Sequence, residues 1–303
     1  MKKKNYILFI FISAILYSCD NDVPVEIIKE PINFRLIDSE PAWSPAGNWI
    51  AFYHKDSLAS KSGIYLISPD GTNIKKWHYG IAESPAWSSD GEWITFSENA
   101  QIWKKKLNGD SLTQLTNDGR NFFPSWSYNN EWIIFDCWNS NTFKFYGIFI
   151  VRNNGNEKTL FKYEINEGDI RMPIWVDSTT VIYVRYSPLF YSTEIFSTKI
   201  NSESELRLTF NNAVEYYPKV SNNKIAFISK HQSKSYFSIW TMDIDGSNLK
   251  QITVEESYAC DWSPNGKHIV YTDARMANGR LWIMDANGGN KRQLTYNYHF
   301  TNF

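Results

Sequence analysis

Cysteine is nearly absent from this 303-residue chain, with three in all, at positions 19, 137 and 260. So few exclude a disulfide-stapled scaffold, and their spacing forms no zinc-binding pattern. An excess of either charge is also missing: 31 Lys and Arg against 32 Asp and Glu leave a formal charge of −1. That balance argues against a nucleic-acid partner, which selects for clustered basic residues. No apolar run reaches the length of a membrane-spanning helix, and no long segment shows helical periodicity. Neither a Gly-x-Ser-x-Gly elbow nor a His-Glu-x-x-His helix occurs, so two common hydrolytic centres are excluded.

The N-terminus reads as a targeting segment. Lys2, Lys3 and Lys4 precede an apolar run from Ile7 to Leu16, which ends in Leu16-Tyr17-Ser18-Cys19. That ending resembles the lipobox of bacterial lipoproteins. The resemblance implies a signal peptide over residues 1–18, lipidation of Cys19, and a tether over residues 19–31 interrupted by Pro24. Cleavage would remove three lysines and no acid, moving the formal charge from −1 to −4. Asp20 and Asp22 resemble the inner-membrane retention signal of enterobacterial lipoproteins, and equally the acidic surface-export signal of Bacteroidota. Both readings place the protein in the cell envelope, lipid-anchored, in the periplasm or at the outer-membrane surface.

The body of the chain is a repeat. Pro41-Ala42-Trp43-Ser44-Pro45-Ala46-Gly47-Asn48-Trp49-Ile50 returns as Pro85-Ala86-Trp87-Ser88-Ser89-Asp90-Gly91-Glu92-Trp93-Ile94. It returns again as Pro124-Ser125-Trp126-Ser127 and, at the sixth copy, as Cys260-Asp261-Trp262-Ser263-Pro264-Asn265-Gly266. Weaker copies begin at Pro173 and at Pro218, where Lys219 and Val220 replace the tryptophan. Positions 43, 87, 126, 175, 219 and 262 are separated by 44, 39, 49, 44 and 43 residues, the length of a four-stranded propeller blade. Each copy continues with an apolar strand, an aliphatic–aromatic strand such as Ile64-Tyr65 or Ile102-Trp103, and in most copies an Asx-Gly pair such as Asp70-Gly71. The Asx-Gly pairs are expected to form two-residue hairpins, which need positive φ. A closing strand follows, clearest in Leu112–Thr116 and Lys291–Thr295.

The Trp-Ser-Pro-Asp-Gly phrase and the Gln-Leu-Thr ending resemble the repeat of TolB, of tricorn-type propellers and of dipeptidyl-peptidase propeller domains. The likeness covers about residues 34 to 300. It implies an all-β fold, a six-bladed β-propeller of four-stranded antiparallel blades over residues 32–303. In such folds the repeated tryptophan packs between blades, so Trp43, Trp87, Trp126, Trp175 and Trp262 are expected in the core, while Trp77 and Trp138 are left as surface candidates. Cys137 and Cys260 fall in opposite blades and are expected as free thiols. Residues 34–37 look like an extra closing strand that could complete the last blade, although Lys291–Thr295 already fits that place.

In this strand order, the inter-blade connections and the loops between second and third strands surround one mouth of the central channel, where binding is expected. The first set offers Glu40, Glu83, Arg120, Asp169, Arg171, Glu215 and Tyr258. The second offers His54, Glu98, Asp136, Arg185, Lys230, His231, Asp273 and Arg275. Glu40, Glu83 and Glu215 precede the lead-in at similar phase, and as an acidic ring could hold a channel cation or a basic peptide. Otherwise no cofactor is expected. The chain reads as a monomeric, non-catalytic module that binds an envelope protein, a peptide or a glycan. The alternative is a glycan-binding or polysaccharide-degrading protein resembling oligogalacturonate lyases, with His54, His231 and His299 as metal ligands. Lipidation is testable directly: Cys19→Ser should move the protein from the membrane fraction to the soluble fraction on cell fractionation, and retention in the membrane would rule the anchor out.

Overall fold

The computed structural model describes residues 37–138, 146–163, 168–188, 191–230, 234–274, 279–296 and 300; Cys19 lies outside them. Its strands form six four-stranded antiparallel sheets, each with its strands side by side in chain order. The first strands are Ile37–Trp43, Ala82–Trp87, Arg120–Trp126, Ile170–Trp175, Val214–Ser221 and Ser257–Trp262. Each touches the first strand of the next sheet, and the sixth touches the first. They therefore line a central channel, and the sheets are the six blades of a propeller.

Alternation along the strands explains why the blades need one another. In the second strand of blade 1, Ile50 and Phe52 pack against Val270, Leu281 and Ile283 of blade 6. Ala51, between them, joins Ile94 and Phe96 of blade 2. Six such apolar clusters fill the six joints, including the joint between blades 6 and 1. Trp43, Trp87, Trp126, Trp175 and Trp262 all lie in these clusters, as the repeat implied. Trp77 does not behave as a surface residue: it is buried in the joint of blades 1 and 2, with its indole N–H on the carbonyl of Leu107. Cys137 and Cys260 are buried and unpaired.

Hydrogen bonds explain the recurring polar residues. Ser44, Ser88, Ser127 and Ser263 each accept, on the side-chain oxygen, the backbone N–H five residues on, closing the hairpin between first and second strands. The Asx-Gly pairs differ from expectation. Only the glycine has positive φ, as at Gly71 (83°) and Gly246 (87°). Its N–H bonds the carbonyl three residues back, so the turns are longer, bulged ones rather than two-residue hairpins.

The threonine of the Gln-Leu-Thr ending ties blade to blade. Thr116, Thr209, Thr253 and Thr295 each accept the N–H of the third strand of their own blade, from Ile102, Ile195, Ile239 and Leu281. Each also bonds a polar side chain at the start of the next first strand: Asn121, Glu215, Ser257 and Asp38. The last of these crosses the ring closure, since Thr295 ends blade 6 and Asp38 begins blade 1. Asp38 is fully buried, accepts from Thr295 (2.6 Å) and Arg280 (3.3 Å), and lies 2.5 Å from Nδ1 of His54. Its own N–H donates to the carbonyl of Gly279 at 3.1 Å. The start of blade 1 at Asp38 thus lies beside blade 6, but Ile37 pairs with Lys55 inside blade 1, and Arg292–Gln293 is the fourth strand of blade 6. The extra outer strand expected over residues 34–37 is corrected accordingly at Ile37; residues 34–36 lie outside the described residues.

Two outcomes follow from these joints. Asp38→Ala removes the buried carboxylate shared by Arg280, His54 and Thr295 and should cost about 3–5 kcal/mol in chemical denaturation, whereas Thr72→Ala, on an exposed turn, should stay within about 0.5 kcal/mol. At Glu215 burial pushes the carboxyl up to about 7 from 4.5, helped by Glu194 and opposed by bonds from Thr209 and Asn211. The folded protein holds that proton more tightly than the unfolded chain, so the stabilisation is complete below the unfolded value and is lost as pH rises through the folded one. Stability should therefore fall between pH 5 and pH 8, with Glu215 accounting for on the order of 2–3 kcal/mol, and Glu215→Gln should flatten the profile.

Candidate functional site

Every first strand carries a β-bulge near its middle, for example between Ser39 and Ala42 and between Tyr216 and Lys219. In five blades the residue before the lead-in proline is left-handed: Glu40 (φ 54°), Ser84 (54°), Phe123 (53°), Met172 (53°) and Tyr217 (53°). The bulge re-aims these side chains, and together they surround a channel cavity of ≈ 40 Å³, room only for water-sized occupants. Glu40 closes it. One carboxylate oxygen accepts the N–H (2.6 Å) and hydroxyl of Ser84, and the other accepts the hydroxyl of Tyr217 at 3.2 Å. Tyr217 belongs to blade 5 and Glu40 to blade 1, so this bond crosses the channel. Burial raises the carboxyl of Glu40, against the hydrogen bonds of Ser84 and Tyr217 and the charge of Lys219. The channel is therefore a floored cup.

Around the rim the blades diverge. One residue before the floor positions stand Ser39, Glu83, Phe122, Arg171, Tyr216 and Tyr258. Arg171 organises one side: its guanidinium lies 4.3 Å from the ring centre of Tyr146, and its Nε is 3.6 Å from Asp136. Asp136 is fully buried and accepts the N–H of Met172 at 3.1 Å, while its other oxygen has no hydrogen-bond partner. Burial lifts this carboxyl to about 6 despite the nearby Arg171. Asp169 accepts the N–H of Tyr146 at 3.3 Å. Trp138 stands beside Tyr146, with ring centres 5.2 Å apart.

The candidates from the sequence are spread through the fold. Glu40 lies in the channel and Glu83, half-buried, on its rim; Glu215 is sealed in the joint of blades 4 and 5. The three do not form an acidic ring. Paired residues on the second strands show them at three successive phases, and a slip of one residue turns a side chain to the other face. His54 is fully buried in the ring closure, stacked 3.6 Å from Phe300 and bonded to Asp38. Arg185 points to the outer strand of its blade, where Glu205 pairs with it at 2.6 Å. Asp136 is at the rim, beneath Arg171. His231, Arg275 and His299 lie outside the described residues. Among the described residues no three His, Cys, Asp or Glu side chains meet in a metal-binding group. Sequence reasoning passed over Tyr217 and Tyr146. Tyr217 was recoverable, because it precedes Pro218 as Glu40 precedes Pro41.

Known proteins share this architecture. Putative TolB from Agrobacterium tumefaciens is similar at 22% identity and a TM-score of 0.63, over 74% of this chain and 84% of that one. TolB from Acinetobacter baumannii is similar at 19% identity and 0.70, over 88% of this chain and 65% of that one, so the chain spans just under two thirds of it. An oligogalacturonate lyase in complex with manganese is similar at 11% identity and 0.59, over 86% of this chain and 77% of that one. At these identities the likeness is one of fold. No curated protein matches the sequence. The family model described as eukaryotic translation initiation factor eIF2A, a family of WD40-like propellers, matches residues 126–289, more than half the chain, and the protein belongs to that family.

Proposed function

We propose that this is a lipid-anchored envelope lipoprotein that binds a partner or ligand in the channel mouth, without catalysing a reaction. The observation that carries the reading is the cup: Glu40 and Tyr217 floor it, and the rim above draws a different residue type from nearly every blade. A surface that serves only the fold repeats with the fold, as the tryptophans and threonines do. The rim does not. Convergent loops on a rigid scaffold, with mixed acidic, basic and aromatic groups, suit selective recognition. The likeness to TolB propellers supports a binding rather than a catalytic role. No helix of the described residues is long and apolar enough to cross a membrane, which is compatible with anchoring through Cys19.

The lyase alternative asks His54 to ligate a metal; its Nδ1 is engaged by Asp38 and its face by Phe300, and Nε2 lies fully buried 3.6 Å from Asp56. Equilibrium dialysis against manganese separates the readings: stoichiometric uptake would favour the lyase. For the binding reading, full-length protein in detergent extract should capture a partner. Glu83→Arg on the rim should cut that capture about tenfold or more. Tyr128→Arg, exposed on the turn at the opposite end of the channel, should leave it intact. Equal behaviour of the two variants would remove the mouth from consideration.

A further inference from the structure

One sector of the rim has a chemistry of its own. In blade 3, Trp138 is directly opposite Arg120 on one neighbouring strand and Tyr146 on the other, which puts the three side chains in a row on one face. Arg171 of blade 4 caps Tyr146 at 4.3 Å. The aromatic series resumes in blade 5, where Tyr216 and Phe237 have ring centres 6.1 Å apart and Lys230 lies 5.6 Å over Phe237. Tyr216 holds in blade 5 the bulge position that Arg171 holds in blade 4, and the two first strands are neighbours, which joins the two stretches into one arc. Rings and cations alternate along it. Arg120 is exposed and makes no ion pair among the described residues.

Acid chemistry backs the arc. Asp136 lies behind Arg171, buried, with one oxygen unpartnered. It lies 3.6 Å from Nε of Arg171, whose side chain is about one-third exposed. A ligand that fits must offer flat apolar faces at intervals, to stack on the rings, and negative groups between them, to meet the guanidiniums. Pyranose rings present such faces through their C–H groups, and uronic acids carry one carboxylate per ring. Single-stranded nucleic acid also combines rings with charge, but its tight binding rests on many phosphate contacts. This chain, with a formal charge of −1, has no basic surplus to supply them.

We propose that the arc over blades 3 to 5 binds an acidic polysaccharide, with uronate rings stacked on Trp138 and carboxylates held by Arg120 and Arg171. The proposal rests on the mouth-binding reading and narrows it to one ligand class. Affinity electrophoresis of the full-length protein in detergent tests it, with alginate, neutral dextran or single-stranded DNA in the gel. Alginate should retard the protein, salt should weaken the effect, and dextran should not retard it. Trp138→Ala and, independently, the exposed Arg120→Glu should each weaken retardation about tenfold. Arg120→Glu alters an exposed side chain and so guards against misfolding of the tryptophan variant. Unchanged mobility in alginate, retardation indifferent to both substitutions, or equal retardation by DNA would overturn the proposal. Partner capture that still responds to Glu83→Arg would then leave the mouth reading standing without its glycan.

Discussion

Everything in this molecule depends on blades that are apolar on both faces. A sheet with Ile50 and Phe52 on one side and Ala51 on the other, all fully buried, has no face to give to water. It can be stable only between two neighbours, and a linear stack would leave two faces bare at its ends. A closed ring removes the ends. The joint of blades 6 and 1 is therefore the decisive one, because the chain does not continue across it. Asp38 compensates for that break, gathering His54, Arg280 and Thr295 from both sides into one buried network.

The polar residues sort themselves by period. Those that recur every blade length have local structural work: the serines close hairpins, and the threonines join successive blades. Several of those that occur once stand about the channel mouth, and others pair with the outer strands, as Arg185 does with Glu205. Arg171 has no counterpart in the other first strands, where the same phase holds Ser39, Glu83, Phe122, Tyr216 and Tyr258. A propeller can vary these positions, since the bulge turns most of them towards the channel mouth; Tyr216 alone of them also packs against the joint of blades 4 and 5. Glu215 marks the boundary between the two groups. It is an acid in a joint position, satisfied by Thr209 and Asn211, and its raised affinity for a proton reflects burial rather than function.

Blade number, strand order and the fate of five tryptophans were legible in the sequence because repetition reports them many times over. The site was legible only in part. Glu40, Glu83 and Asp136 were found because they lie next to recognisable turns. Their company was not, because the bulge inserts one residue into each first strand and the eye cannot fix the phase of a side chain to a single position. That is why Glu40, Glu83 and Glu215 looked equivalent and are not. His54 and Trp77 failed differently. Both lie near loop ends, where exposure is the usual expectation, but contacts with remote segments, Phe300 and Leu107, cover them. No local pattern reports such contacts.

The floor of the cup then decides how anything can bind. A hydrogen bond from blade 5 to blade 1, across the channel and among side chains fixed by five left-handed residues, leaves no passage for a threaded chain. A ligand must lie over the mouth, touching the rim rather than the bore. On that rim Glu83 belongs to blade 2, above the floor acid Glu40 of blade 1, whereas the exposed Arg120 belongs to blade 3 and Arg171, backed by Asp136, to blade 4. The mouth is thus polar across its width, so a negatively charged ligand gains on one side what it would lose on the other. Orientation, more than affinity, is what such an arrangement controls. Because the blades are locked face to face by buried side chains, the rim reaches the ligand already in place, and the cost of ordering falls on the ligand.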